Sequence, residues 1–161
     1  MIFTTCGYGV IRSEFDGSQW QHSYPVPGGT YASNIGFAPG NPNVVYATWF
    51  FPSFFGGDNL PRISRSTDGG DTWETFMVDT TAATVLLTLA VHPTDSDIVF
   101  CGDNELGVVK TPTHGQTWTS LNNGLNYFIV YDVALDPNDI EHKIAGTEAG
   151  LFEKKENGAW E

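Results

Sequence analysis

Basic residues are scarce in this chain. Seven Lys and Arg stand against 19 Asp and Glu in 161 residues, a net charge of −12. Phosphate backbones and anionic bilayers are bound by clustered cations, so this balance argues against nucleic acid and anionic membrane surfaces as partners. No apolar run approaches the ~18 residues of a transmembrane helix, and no membrane insertion is expected. Cysteine is nearly absent. Cys6 and Cys101 fall at non-equivalent places, too ill-matched for a bridge, and both read as small buried hydrophobes. His22, His92, His114 and His142 show no metal-ligand spacing with one another or with the cysteines, so no metal and no cofactor is assigned. Apolar periodicity of helical spacing is missing too. Aromatics make up 14% of the chain, with 18 Gly and 9 Pro, a composition that favours β structure. Met1-Ile2-Phe3-Thr4-Thr5 reads as a strand, not a signal peptide.

What the chain does have is a turn that recurs. Ser66-Thr67-Asp68-Gly69-Gly70-Asp71-Thr72-Trp73 joins short polar side chains that lock backbone amides, two glycines that supply positive φ, and a tryptophan that returns to the layer beneath. Thr111-Pro112-Thr113-His114-Gly115-Gln116-Thr117-Trp118 keeps the hydroxyl, the glycine and Thr-Trp, but has Thr113 where the acid belongs. Ser13-Glu14-Phe15-Asp16-Gly17-Ser18-Gln19-Trp20 keeps Ser13, Gly17 and Trp20, with its acid moved one place to Asp16. The weakest copy is Glu153-Lys154-Lys155-Glu156-Asn157-Gly158-Ala159-Trp160. The four tryptophans lie 53, 45 and 42 residues apart, the period of a four-stranded propeller blade. Trp73, Trp118 and Trp20 are expected to be mostly buried. Ser66 and Asp68 are expected to bond to backbone within their own turn.

Strand-like segments repeat in step with the turns. One set is Met1 to Thr5, Val44 to Ala47, Ile98 to Cys101 and Lys143 to Gly146. The next begins at Gly9, Arg62, Gly107 and Gly150 and runs into each turn. A third set ends at a proline, as Asn34 to Pro39, Thr88 to Pro93 and Asp132 to Pro137, with small Gly36, Ala90 and Ala134 at one register, as crowding around a propeller axis requires. Counting a short outer strand after Trp20, Trp73 and Trp118 predicts fourteen strands in repeats of roughly 1–30, 31–84, 85–128 and 129–161. The fold expected is all-β, about three and a half four-stranded antiparallel propeller blades. Such an arc leaves open edges, so a ring completed by a second copy, or a longer parent propeller, is expected.

The Ser66–Trp73 turn resembles the Asp box of bacterial neuraminidase repeats, which sialidases, xyloglucan-hydrolysing glycosidases, sortilin-like receptors and photosystem assembly factors share. The resemblance implies an extracellular or periplasmic protein. It also implies that Ser66, Asp68, Gly70, Trp73, Thr111, Gly115 and Trp118, with Ser13, Gly17 and Trp20, are structural, and that ligands bind on the face opposite these turns. The sialidase arginine triad does not carry over. Arg12, Arg62 and Arg65 are the only arginines and flank one strand set, and Pro61-Arg62-Ile63 departs from the family's Arg-Ile-Pro motif. Asn41-Pro42-Asn43-Val44-Val45-Tyr46-Ala47 and Gly124-Leu125 look closer to the xyloglucan-hydrolysing group, whose enzymes work with two aspartates across a cleft. Candidate acids on that face are Asp58, Asp103, Glu105, Asp132 and Glu148, and no motif picks two of them. The second repeat alone carries a long insertion there, with Trp49, Phe50, Phe51, Phe54 and Phe55 as a candidate carbohydrate-stacking platform. The reading is a non-catalytic binding or scaffold module for polysaccharide or protein. The alternative is part of a glycoside hydrolase whose catalytic residues lie partly outside this chain.

Overall fold

The computed structural model describes residues 1–6, 9–23, 31–79, 81, 83–126, 129–155 and 158–161. Among these it holds fourteen strands in four antiparallel sheets, each an uninterrupted meander. The first sheet is β1 (Ile2–Cys6), β2 (Gly9–Phe15) and β3 (Trp20–Ser23); the second is β4 (Tyr31–Ala38), β5 (Asn41–Phe50), β6 (Pro61–Ser66) and β7 (Glu74–Met77). The third is β8 (Leu86–Val91), β9 (Val99–Asp103), β10 (Val108–Thr111) and β11 (Thr119–Ser120); the fourth is β12 (Val130–Leu135), β13 (Lys143–Thr147) and β14 (Gly150–Lys154). Beside β14 the chain end continues the pattern, because Glu153 and Glu161 exchange both backbone hydrogen bonds at 2.9 and 3.0 Å. No helix among the described residues is long and apolar enough to cross a membrane.

Alternation of side chains across the pleat explains the stacking. On β5, Val44 and Tyr46 point into a core shared with Leu89, Val99 and Cys101 of the third sheet, while Ala47 and Trp49 join Val10 of the first. Phe100 and Val108 leave the other face of the third sheet to meet Val130, Val133 and Ala145 of the fourth. Small residues on the first strand of the second, third and fourth sheets answer large ones beside them: Gly36 pairs with Tyr46, Ala90 with Phe100 and Ala134 with Ile144. The fourth-sheet alignment is therefore one residue away from the sequence reading, since Ile144, not Ala145, matches Tyr46 and Phe100. The register also slips at one equivalent place in each of these strands, between Ala32 and Asn34, Leu86 and Thr88, and Val130 and Asp132.

The two best turns are built alike. The buried Gly70 N–H donates to Ser66 Oγ at 2.7 Å, and the Gly115 N–H to Thr111 Oγ1 at 2.9 Å. Asp68 accepts from the Thr72 N–H at 2.9 Å and its hydroxyl at 2.6 Å; Thr113 takes over both bonds, accepting the Thr117 N–H at 2.9 Å and meeting the Thr117 hydroxyl at 2.7 Å. Each indole closes its own turn, Trp73 Nε1 onto Gly70 O at 3.1 Å and Trp118 Nε1 onto Gly115 O at 3.0 Å, with both rings half-buried.

The first turn departs from the expectation. Asp16, moved by one residue, gathers the Ser18 and Gln19 amides at 2.9 Å and closes a local hairpin, so Ser13 bonds across the sheet to His22 at 2.8 Å instead. Gly17 has open space around it, and Trp20 is 46% exposed against Phe15, not buried. In the fourth copy Glu156 and Asn157 lie outside the described residues. Trp160 is buried, its indole donating to Leu121 O of the third repeat at 2.6 Å. Cys101 is buried and Cys6 half-buried, both free.

Removing the Ser66 hydroxyl would orphan the Gly70 N–H in the interior. Ser66→Ala is expected to lower stability by about 1–3 kcal/mol, while Ser66→Thr, which installs the group Thr111 already uses, stays near wild type. Urea unfolding with an unchanged m-value checks both.

Candidate functional site

The long insertion begins where β5 outruns its counterparts. At Phe50 the strand still pairs with Tyr31 and Pro61, and Pro52 then turns it into a 3-10 turn over Ser53–Phe55. Gly56 takes the left-handed conformation at φ 85° and returns its N–H to Ser53 O at 2.9 Å. Asn59, also left-handed at φ 59°, folds back. Its N–H reaches Phe51 O at 2.9 Å and its side chain takes the Ser53 N–H at 2.7 Å. Asp58 then grips Arg62 through both carboxylate oxygens, at 2.8 and 2.5 Å, and accepts the Leu60 N–H at 3.0 Å. The Arg62 guanidinium lies 5.2 Å over the Trp49 ring, whose indole donates to Ser64 Oγ at 2.7 Å. The projection is thus clamped by a stack of Trp49, Arg62 and Asp58.

This geometry divides the five predicted ring residues. Trp49 is buried, and Phe51 packs against the same core between the first and second sheets, because both continue the face that Ala47 starts. They belong to that core. Phe50, Phe54 and Phe55 do gather at the surface, around a residue that sequence reading missed. Tyr31 stacks on Phe50 at 5.7 Å and on Phe55 at 6.4 Å, and meets Phe54 edge-on at 6.0 Å, while Phe54 and Phe55 tilt at 49° with centroids 4.6 Å apart. Its signal was the aromatic opening β4, legible only once the Tyr31–Phe50 register is known.

The candidate acids are held in different ways. Asp103 is buried at the end of β9 and caps its own turn, accepting Thr84 Oγ1 at 2.8 Å, the Glu105 N–H at 2.7 Å and the Leu106 N–H at 2.8 Å, while burial pushes its carboxyl up. Asp132 accepts Thr88 Oγ1 at 2.9 Å and so ties β12 to β8. Glu105 and Glu148 are exposed. Arg62 sits at the opposite end of β6 from Arg65, and Arg65 pairs with Asp97 at 2.6 Å, so the arginines do not converge.

Arg62, followed by the Leu60 amide, holds the Asp58 carboxyl down at about 2, below its ordinary 3.8. A depressed folded value means that the clamp contributes fully above the ordinary value and weakens as pH falls toward about 2. In a carboxyl-carbon NMR titration Asp58 is expected to titrate near 2 in the wild type and to rise toward its ordinary value in Arg62→Leu, where only the Leu60 amide still holds it down.

No protein-family profile and no curated sequence matches the chain. Solved structures do. A GH74 enzyme of Niastella koreensis shares the fold at a TM-score of 0.73 and 24% identity over 96% of this chain, and the GH74 xyloglucanase of Xanthomonas campestris at 0.74 and 14% over 99%. YCF48 bound to D1 peptide matches at 0.67 and 14% over 99%. The chain spans 26%, 28% and 49% of those three proteins. These neighbours are β-propeller proteins, and the four antiparallel sheets of this chain fit that fold.

Proposed function

We propose that this chain is a non-catalytic propeller module that binds an extended ligand on the platform of Tyr31, Phe50, Phe54 and Phe55. The observation that carries this reading is the exposure of Phe54 and Phe55, 71% and 51%, on a loop clamped by Asp58, Arg62 and Asn59. Exposed rings already fixed in place bind with little further ordering cost, which is the advantage of a preorganised site. The glycosidase alternative is weaker because Asp58 and Asp103 are committed to an ion pair and a turn. The first ligand class is a β-glucan-type polysaccharide, whose pyranose CH faces suit aromatic rings; the Xanthomonas relative is a xyloglucanase. A peptide is the second reading, favoured by the 49° tilt of Phe54 on Phe55, a wedge more than a plane; one relative was solved with a peptide bound.

Xyloglucan oligosaccharide titrated by calorimetry is expected to saturate. The Phe54→Ala, Phe55→Ala double variant should weaken it about tenfold or more, about 1.4 kcal/mol, with thermal stability unchanged. A flat titration with oligosaccharide removes the polysaccharide reading, and equal affinity in the variant removes the platform.

The uncovered faces of the first and fourth sheets, with exposed Ile2, Phe15 and Trp20 on one and Ile144 and Leu151 on the other, are read as contact surfaces for a second copy or for further blades. Light scattering is expected to give about twice the 17.6 kDa chain mass; a monomer at micromolar concentration removes the second-copy reading.

A further inference from the structure

At two successive gaps between sheets, a cation on the strand that runs into the turn is neutralised by the next sheet. Arg12 of β2 bonds Asp71, and Arg65 of β6 bonds Asp97 at 2.6 Å. Lys110 of β10 holds the position equivalent to Arg65, since Lys110 pairs with Phe100 as Arg65 pairs with Tyr46. Yet no carboxylate among the described residues lies within ion-pair distance of it. The fourth sheet presents two more ammoniums instead.

Register identifies the substitution. Val45 and Ser66 are cross-strand partners in the second sheet, Val99 and Thr111 in the third, and Lys143 and Lys154 in the fourth. Where two repeats set an aliphatic residue and a hydroxyl against the preceding sheet, the fourth sets a pair of lysines. Both are buried, at 5% and 8% exposure. Lys110 and Lys143 lie over the same buried Phe100 ring, 5.4 and 5.6 Å from its centre. Three of the seven Lys and Arg in a chain of net charge −12 therefore converge on one gap.

The gap is not filled. A cleft of about 340 Å³ separates the sheets there, lined by all three lysines and Phe100 and reaching solvent beside Ser120 and Asn123. Lys143 donates to Glu141 O at 3.1 Å with the Glu141 carboxylate 3.6 Å away, and Lys154 donates to Gly158 O. Each ammonium has three donors, so most find no partner among the described residues, where Glu141 is the one carboxylate paired with any of the three. Like charges gathered out of water are costly without a counter-charge. Burial first, then Lys110 and Lys154, draw Lys143 below its ordinary pKa against the pull of Glu141.

We propose that this cleft between the third and fourth sheets is an anion-binding site for a compact oxyanion of two or more negative charges, a phosphate ester or a polycarboxylate. It lies by the Thr111 turn, at the opposite end of the strands from the aromatic platform, and does not depend on it. Lys110 supplies the accessible charge, Lys143 and Lys154 the buried ones, and Glu141 is the competitor that an incoming anion displaces.

Isothermal calorimetry with inorganic phosphate and, separately, citrate tests this on the whole chain, at fixed ionic strength held with chloride. Saturable one-to-one binding of at least one of them is expected, and the pattern of the two identifies the ligand class. Lys110→Gln should weaken it at least tenfold. Glu141→Gln, at an exposed position, should tighten it severalfold, a gain that a purely structural role for the lysines does not produce; it also carries the test if Lys110→Gln fails to fold. No saturable binding of either anion, or affinities unmoved by Glu141→Gln, overturns the proposal.

Discussion

The gap between consecutive sheets is the constraint on which the structure depends. A middle sheet is covered on both faces, so every other side chain of each strand must fill one gap and the rest the other. The turns must fit the same spacing. A Cβ on Gly70 would stand 2.5 Å from the Phe3 ring, and one on Gly115 2.8 Å from Ile63 and 2.9 Å from Phe76. Each turn glycine is thus where one sheet seats on the sheet before it, and its N–H is buried by that contact. The hydroxyl of Ser66 or Thr111 satisfies the amide, which is why the hydroxyl is kept even where the acid is exchanged for Thr113.

Much of this was legible because the signals are local. The strands and the turns at Ser66 and Thr111 follow from side chains within eight residues of one another, repeated at a blade-length period. What failed was also local. Asp16 offers its own nearby amides a shorter closure, and that competing turn leaves Trp20 outside. The exposed ring cluster was half legible: aromatic density marked the loop, but density does not say which way a ring faces. Period-two alternation does, since Ala47, Trp49 and Phe51 share a face, and the unusual length of β5 carried that alternation into the insertion. Tyr31 depended on a cross-strand partner distant in sequence, and Lys143 and Lys154 on a one-residue alignment that only the register supplies.

Charge is distributed with the same logic. Arg12 and Arg65 lie in gaps between sheets, Arg62 under the loop, and Lys110, Lys143 and Lys154 in one cleft, leaving Lys155 as the one largely exposed cation, at 61%. The outer surface is therefore more uniformly negative than the net charge of −12 conveys. Such a surface repels polyanions and keeps the apolar platform from indiscriminate association.

Neighbour-only contact has a consequence for motion. Where each sheet touches only the one before and the one after, stability is close to a sum of local terms and adjacent couplings. The amides of β5 and β9, in sheets covered on both sides, should then exchange with deuterium only through the largest openings, while those of β3 and β14 exchange through fraying of a terminal sheet alone. The protein behaves less as one melting unit than as a short row of tiles, loosened from its ends inward.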